Sequence, residues 1–150
     1  MKYLIIILLI FLPLKLTAPA DMKIPVIKEG GQFDRYTLSW ASVDYWLGFY
    51  EVKEKDIVKA QIRLETGNLQ SRYCLECNNL TGMKKPRKRE TTAIGRDKSM
   101  SVYSHFSESI RDYRIWQDKF YRGGDYYEFL VKQKYAQDKQ YIEKLKKLNN

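Results

Sequence analysis

The chain opens on an unbroken apolar run, Tyr3 to Leu12, which continues to Leu16 with Pro13 and Lys15 interrupting its far end. That run is shorter than the roughly 20 apolar residues that span a bilayer. Met1-Lys2 supplies a short positive start, and Ala18-Pro19-Ala20 supplies small residues where a signal peptidase inspects the chain. Residues 1–20 are therefore expected to be a cleaved signal peptide, leaving no stable membrane anchor. Residues 21–37, with Pro25, Gly30 and Gly31, show no period and are expected to form an extended lead-in.

From residue 38 onward the pattern becomes helical. Apolar and aromatic residues dominate Leu38 to Phe49. The clearest period lies in Asp56 to Thr66, where Ile57, Val58, Ile62 and Leu64 are the apolar positions, Asp56 is an N-cap type and Gly67 fits the stop. Residues 68–83 read as a short helix or turn around Cys74 and Cys77, followed by an Asn-rich loop. Thr91 to Ile94 and Ser101 to Tyr103 have strand-like composition about a turn near Gly95, which predicts a small hairpin. Ser107 is the expected cap of a helix bearing Ile110, Tyr113, Trp116 or Gln117, and Phe120 on one face, broken by Gly123-Gly124. Asp125 and Glu128 resemble a capping box, and Asp138 is placed to cap a last helix whose Ile142, Leu145 and Leu148 face inward. The outline over residues 38–150 is an α+β domain, mostly α, with one small β element.

Charge narrows the partners. The 150 residues carry 27 basic and 18 acidic side chains, a net charge of +9, and the leader holds only Lys2 and Lys15 of the basic ones. Such a surface favours polyanions. Export points to the anionic cell wall or a membrane surface and argues against nucleic acid, for which no recognition motif is present. The 12 tyrosines suit stacking on sugars or ordinary packing. Two cysteines and one histidine cannot build a zinc site, so no metal is expected. Cys74 and Cys77 are expected to be a local disulfide or two buried thiols. The basic run Lys84-Lys-Pro-Arg-Lys-Arg89 reads as a solvated loop or a polymer-binding segment.

One carboxylate is out of place. Glu65 shares a helical face with Val58 and Ile62, and that face is apolar. It also falls in the last turn, where the helix dipole disfavours negative charge. Desolvation and dipole both raise its pKa, which is what a glycosidase general acid requires. The alternative is a glutamate that reaches solvent or pairs with Arg63 or a distant cation.

Four segments resemble motifs of one family, in that family's order. Ala60-Gln-Ile-Arg-Leu-Glu65-Thr-Gly67 is similar to the Ala-x-x-x-x-Glu-Ser/Thr-Gly signature of the endo-β-N-acetylglucosaminidases of glycoside hydrolase family 73. Asn78-Asn-Leu-Thr-Gly-Met-Lys84 resembles the family's Asn-Asn-Leu-Phe-Gly-Ile-Lys loop. Val102-Tyr-Ser-His-Phe-Ser-Glu-Ser-Ile-Arg-Asp-Tyr113 resembles Tyr-Asp-Ser-Trp-Glu-Glu-Ser-Ile-x-Asp-Tyr, and Tyr135-Ala-Gln-Asp-Lys-Gln-Tyr-Ile-Glu-Lys144 resembles the closing Tyr-Ala-Thr-Asp-Pro-x-Tyr-x-x-Lys.

The resemblance implies a lysozyme-like fold, a helical lobe and a small β-lobe flanking a cleft. It implies a peptidoglycan hydrolase cleaving glycan strands at the β-1,4 bond after N-acetylglucosamine; with the leader, a periplasmic or secreted enzyme is expected, a monomer without a cofactor. Glu65 matches the essential acid. Glu90 is the expected second catalytic carboxylate and Asp97 the runner-up; Asn79 and Tyr135 are the expected substrate-binding residues. As a base Glu90 would need to lie roughly 6.5–9.5 Å from Glu65, as a nucleophile about 5–5.5 Å. Thr81 stands where the family loop carries an aromatic, and the segment after it is short and basic. Competing expectations are a muramidase or lytic transglycosylase on the same fold, or a non-catalytic wall-binding module.

Overall fold

The computed structural model describes residues 33–149, so the leader and most of the lead-in lie outside the described residues. Among the described residues, six helices and one hairpin follow in the order ααα–ββ–ααα.

Helix α1 (Trp40–Phe49) starts two residues later than expected because Ser39 caps it: Ser39 Oγ accepts from Ser42 N at 3.1 Å and Ser42 Oγ accepts from Ser39 N at 2.9 Å. Helix α2 (Lys55–Thr66) opens after Glu54, a left-handed residue (φ 52°) with no side-chain cap. Asp56, expected as the cap, lies inside the first turn, where its charge still complements the helix dipole. Gly67 ends the helix as expected, at φ 53°, its N–H donating to Arg63 O.

Ser71 caps helix α3 (Arg72–Cys77), and Asn78 closes it in the left-handed conformation. Cys74 and Cys77 stand on it as two buried thiols, and burial pushes the Cys74 thiol up to about 11.

Strands β1 (Gly95–Asp97) and β2 (Met100–Val102) pair antiparallel, Gly95 opposite Val102. The hairpin is displaced from its expected position: Gly95 is a strand residue, and the left-handed turn residue is Lys98 (φ 53°). The chain just after the Asn-rich loop lines up against β2, with Ser101 N donating to Met83 O at 2.9 Å and Lys85 N to Ser99 O at 3.2 Å.

Helix α4 (Phe106–Phe120) is capped by His105, not Ser107. His105 Nδ1 accepts from Ser107 N at 3.2 Å while Nε2 donates to Tyr36 O at 3.0 Å, which fixes the tautomer and ties the lead-in to α4. Asp125 caps α5 (Tyr126–Lys132) through Glu128 N at 3.0 Å. Asp138 falls short of capping α6 (Tyr141–Asn149); it forms a turn ahead of it, Oδ1 accepting from Gln140 N.

The core gathers Val43 and Leu47 of α1, Val58 and Ile62 of α2, Ile110 and Tyr113 of α4, Leu130 of α5 and Leu145 of α6. Burying side chains of this size contributes about 1.5–3 kcal/mol each. Helix α2 packs chiefly on α6 and also meets α1 and α3. Its C-terminal end, carrying Glu65, therefore meets both the start of α6 and the loop after α3. The architecture is α+β and mostly α. No helix among the described residues is long and apolar enough to cross a membrane.

Candidate active site

Glu65 is the penultimate residue of α2, on the stripe that buries Val58 and Ile62 completely. Its carboxyl is half-buried. Tyr141, the first residue of α6, donates its hydroxyl to Glu65 Oε1 at 2.9 Å. The other oxygen, Oε2, faces Gly82: a Cβ built on that glycine would stand 2.6 Å from it. Glu65 enters no ion pair among the described residues, and the Arg63 guanidinium is turned away, 5.2 Å over the Trp40 ring. Burial raises the Glu65 pKa, and the Tyr141 hydrogen bond, which favours the ionised form, offsets this only in part.

The loop 78–83 brings Gly82 to this carboxyl, and Asn79 and Tyr135 hold the loop. Asn79 is 2 % exposed; its Nδ2 donates to Met83 O at 2.9 Å and to Ser101 O at 3.0 Å, and its Oδ1 accepts from Met83 N at 3.2 Å. Both amide hydrogens are thus engaged inside the protein, joining the loop to β2. Tyr135 donates its hydroxyl to Thr81 O, one residue before Gly82, while its ring packs among Trp116, Tyr113 and Tyr141 at centroid distances of 5.5, 6.0 and 5.9 Å. Thr81, which replaces the family aromatic, is fully buried.

The candidate second carboxylates are placed differently. Glu90 is exposed on the segment leading to β1, and Asp97 in β1 pairs with Arg72 at 2.9 Å. Neither shares a hydrogen-bond partner with Glu65 among the described residues. The basic run ahead of Glu90 is only partly solvated. Arg89 leaves solvent and forms a two-pronged pair with Asp112 of α4 (Nη1–Oδ1 2.6 Å, Nη2–Oδ2 2.9 Å), with Tyr103 donating to Asp112 Oδ2 at 2.8 Å. Arg89 Nη1 also donates to Glu90 O at 2.7 Å, so this buried pair fixes the backbone that carries Glu90.

Residues 48–150 match the family model described as mannosyl-glycoprotein endo-beta-N-acetylglucosaminidase. The chain belongs to this glucosaminidase family. It is a glycoside hydrolase, with peptidoglycan as the substrate the family implies, and its mostly helical α+β architecture with one small hairpin fits the lysozyme-like fold. Among curated proteins and among solved structures, nothing matches the chain significantly.

Tyr141 and Gly82 meet the Glu65 carboxyl, Gln61 backs Tyr141, and the Arg89–Asp112 pair fixes the Glu90 segment; none of these was singled out by sequence. Gln61 is one helical turn before Glu65 on the same face, and Tyr141 and Gly82 sit inside the quoted motifs, so spacing held a signal for them. No cluster of His, Cys, Asp and Glu able to hold a metal occurs among the described residues.

Proposed function

We propose that this glucosaminidase cleaves the β-1,4 bond after N-acetylglucosamine in peptidoglycan glycan strands, with Glu65 protonating the leaving oxygen. The observation that carries the reading is the Glu65 carboxyl itself: half-buried, without a counter-charge among the described residues, one oxygen bonded to Tyr141 and the other facing the open backbone of Gly82. A carboxyl whose affinity for the proton is raised by burial holds it to higher pH than a free one, as a general acid must.

Glu90 is the proposed partner, activating water or stabilising the oxocarbenium-like transition state from the β-lobe. The Arg89–Asp112 pin gives its segment a defined place. Asp97 would first have to leave Arg72. Asn79 and Tyr135 serve the substrate by holding the 78–83 loop in position, and Tyr135 adds its ring to the wall beside Glu65. The enzyme acts in the periplasm or outside the cell once residues 1–20 are removed, as a monomer without metal or cofactor.

A zymogram tests the acid: the wild-type protein clears peptidoglycan and Glu65→Gln does not. Equal clearing by both removes Glu65 from the role. A second reading, lytic transglycosylase or muramidase chemistry with one acid, is favoured by the exposure of Glu90 and the pairing of Asp97 with Arg72. Mass spectrometry of the digest separates the readings. New reducing N-acetylglucosamine ends support the first, 1,6-anhydro-muramic ends the transglycosylase, and new reducing muramic ends the muramidase.

A further inference from the structure

A directed chain of hydrogen bonds reaches Glu65 from the far side of the core. Its fixed end is Gln117 of α4. Lys53 N donates to Gln117 Oε1 at 2.9 Å and Gln117 Nε2 donates to Lys53 O at 2.9 Å, so the backbone of one residue dictates which way this side-chain amide points. The second Nε2 hydrogen goes to Tyr126 Oη at 2.6 Å. Tyr126 must then pass its own hydrogen to Tyr113 Oη at 2.7 Å, and Tyr113 donates to Gln61 Oε1 at 2.6 Å. That contact orients Gln61 in turn, so its Nε2 faces Tyr141 Oη at 3.3 Å, and Tyr141 donates to Glu65 Oε1 at 2.9 Å.

All five residues behind Glu65 are buried, Gln61 and Tyr113 completely and Tyr141 to 7 % exposure. Reversing any one link would set a buried donor against a donor or leave a group unpaired, at about 1–3 kcal/mol per group. The direction is therefore imposed from Lys53, on the far side of the helical core.

We propose that Gln61, backed by Tyr113, Tyr126 and Gln117, is a positioning residue that keeps Tyr141 a hydrogen-bond donor and so places the acidic proton of Glu65 on Oε2. This rests on Glu65 being the general acid. A carboxyl whose Oε1 already accepts carries its proton on the other oxygen, and Oε2 is the oxygen beside Gly82, where the missing Cβ leaves room. The titratable groups that face Glu65 are Tyr141 from α6 and Tyr135 from the turn before it; the 78–83 loop contributes backbone. Burial raises both tyrosines far above neutral pH, so they act only as neutral hydroxyls.

The test follows the Glu65 carboxyl directly, by carbon NMR of the whole protein labelled at the glutamate side-chain carboxyl and assigned with Glu65→Gln. The pH profile of kcat/KM on peptidoglycan runs alongside. In Gln61→Met, Tyr141 loses its enforced direction, the ionised form of Glu65 loses part of its donor, and the titration moves up by about 0.5–1 unit with the basic limb of the profile. Tyr141→Phe gives a comparable shift, and the double variant Gln61→Met/Tyr141→Phe moves no further than Tyr141→Phe alone. Tyr113→Phe, which removes one hydroxyl that touches neither Tyr141 nor Glu65, gives a smaller shift of the same sign because Gln61 can then turn over.

A Glu65 titration unchanged in folded Gln61→Met and Tyr113→Phe overturns the proposal. If Gln61→Met does not fold, Tyr113→Phe alone decides in the same way. Full activity in Glu65→Gln would instead refute the general-acid reading, and the NMR titration, read without turnover, distinguishes that failure from this one.

Discussion

Tyr141 and Glu65 lie 76 positions apart, yet the tyrosine hydroxyl donates to Glu65 Oε1 at 2.9 Å. The bond joins the first residue of α6 to the end of α2, the pair of helices that pack most closely. It supplies a donor to a carboxyl that desolvation would otherwise keep neutral over a still wider pH range. Affinity for the proton is thus tuned from two sides, upward by burial and downward by one hydroxyl.

Because the Glu65 pKa is raised in the folded protein, the native state holds a proton that the unfolded chain has already released. Stability from this group is complete below the ordinary carboxyl range and falls as pH rises through the folded value. Glu65→Gln removes the penalty. It is expected to be more stable than wild type at pH 7 to 8, with the difference vanishing below about pH 4. Urea melts at several pH values check this; a less stable variant at pH 7 contradicts it.

Gly82 has two reasons to be glycine. Its φ is +64°, and a Cβ would stand 2.6 Å from Glu65 Oε2. Gly82→Ala is expected to lose activity by at least about tenfold and to cost about 1–3 kcal/mol of stability. Zymography together with thermal melting measures both effects. Wild-type activity would mean that Oε2 does not need that space.

Arg89→Met would leave the Asp112 carboxylate fully buried with only the Tyr103 hydroxyl for company. Loss of one partner of such a pair costs about 3–5 kcal/mol. Replacing Asp112 by Asn in the same chain should recover part of that loss. Chemical denaturation of the single and double variants reads the difference, and a loss below 1 kcal/mol for Arg89→Met would show that the pin is slack.

The Cys74 thiol, pushed up to about 11, is almost wholly protonated at pH 8. Iodoacetamide should label it slowly in the folded protein and rapidly in urea, as read by intact-mass spectrometry. Fast labelling under native conditions would contradict the burial.

Helix α2 was legible because its period, its stop at Gly67 and its odd carboxylate all lie within twelve residues of one another. The resemblance extended that reading to the family and the fold. Helix starts were less legible. His105 displaces Ser107 as the cap of α4 because its other nitrogen donates to Tyr36 O, a partner 69 residues away that no local pattern contains. The basic run read as loop for the same reason. Arg89 differs from its neighbours only in meeting Asp112, which α4 presents from 23 residues downstream.

The sequence by itself determined that a carboxyl would be carried into an apolar face at the end of a helix, because the 3.6-residue period puts Glu65 in line with Val58 and Ile62. Only the tertiary structure decided what that carboxyl meets. Tyr141, Gly82 and the chain of donors beginning at Lys53 come from separate elements, brought together by the packing of α2, α4 and α6. The direction of a hydrogen bond depends on which partners remain for each buried group, and that is settled only when every one of them is in place.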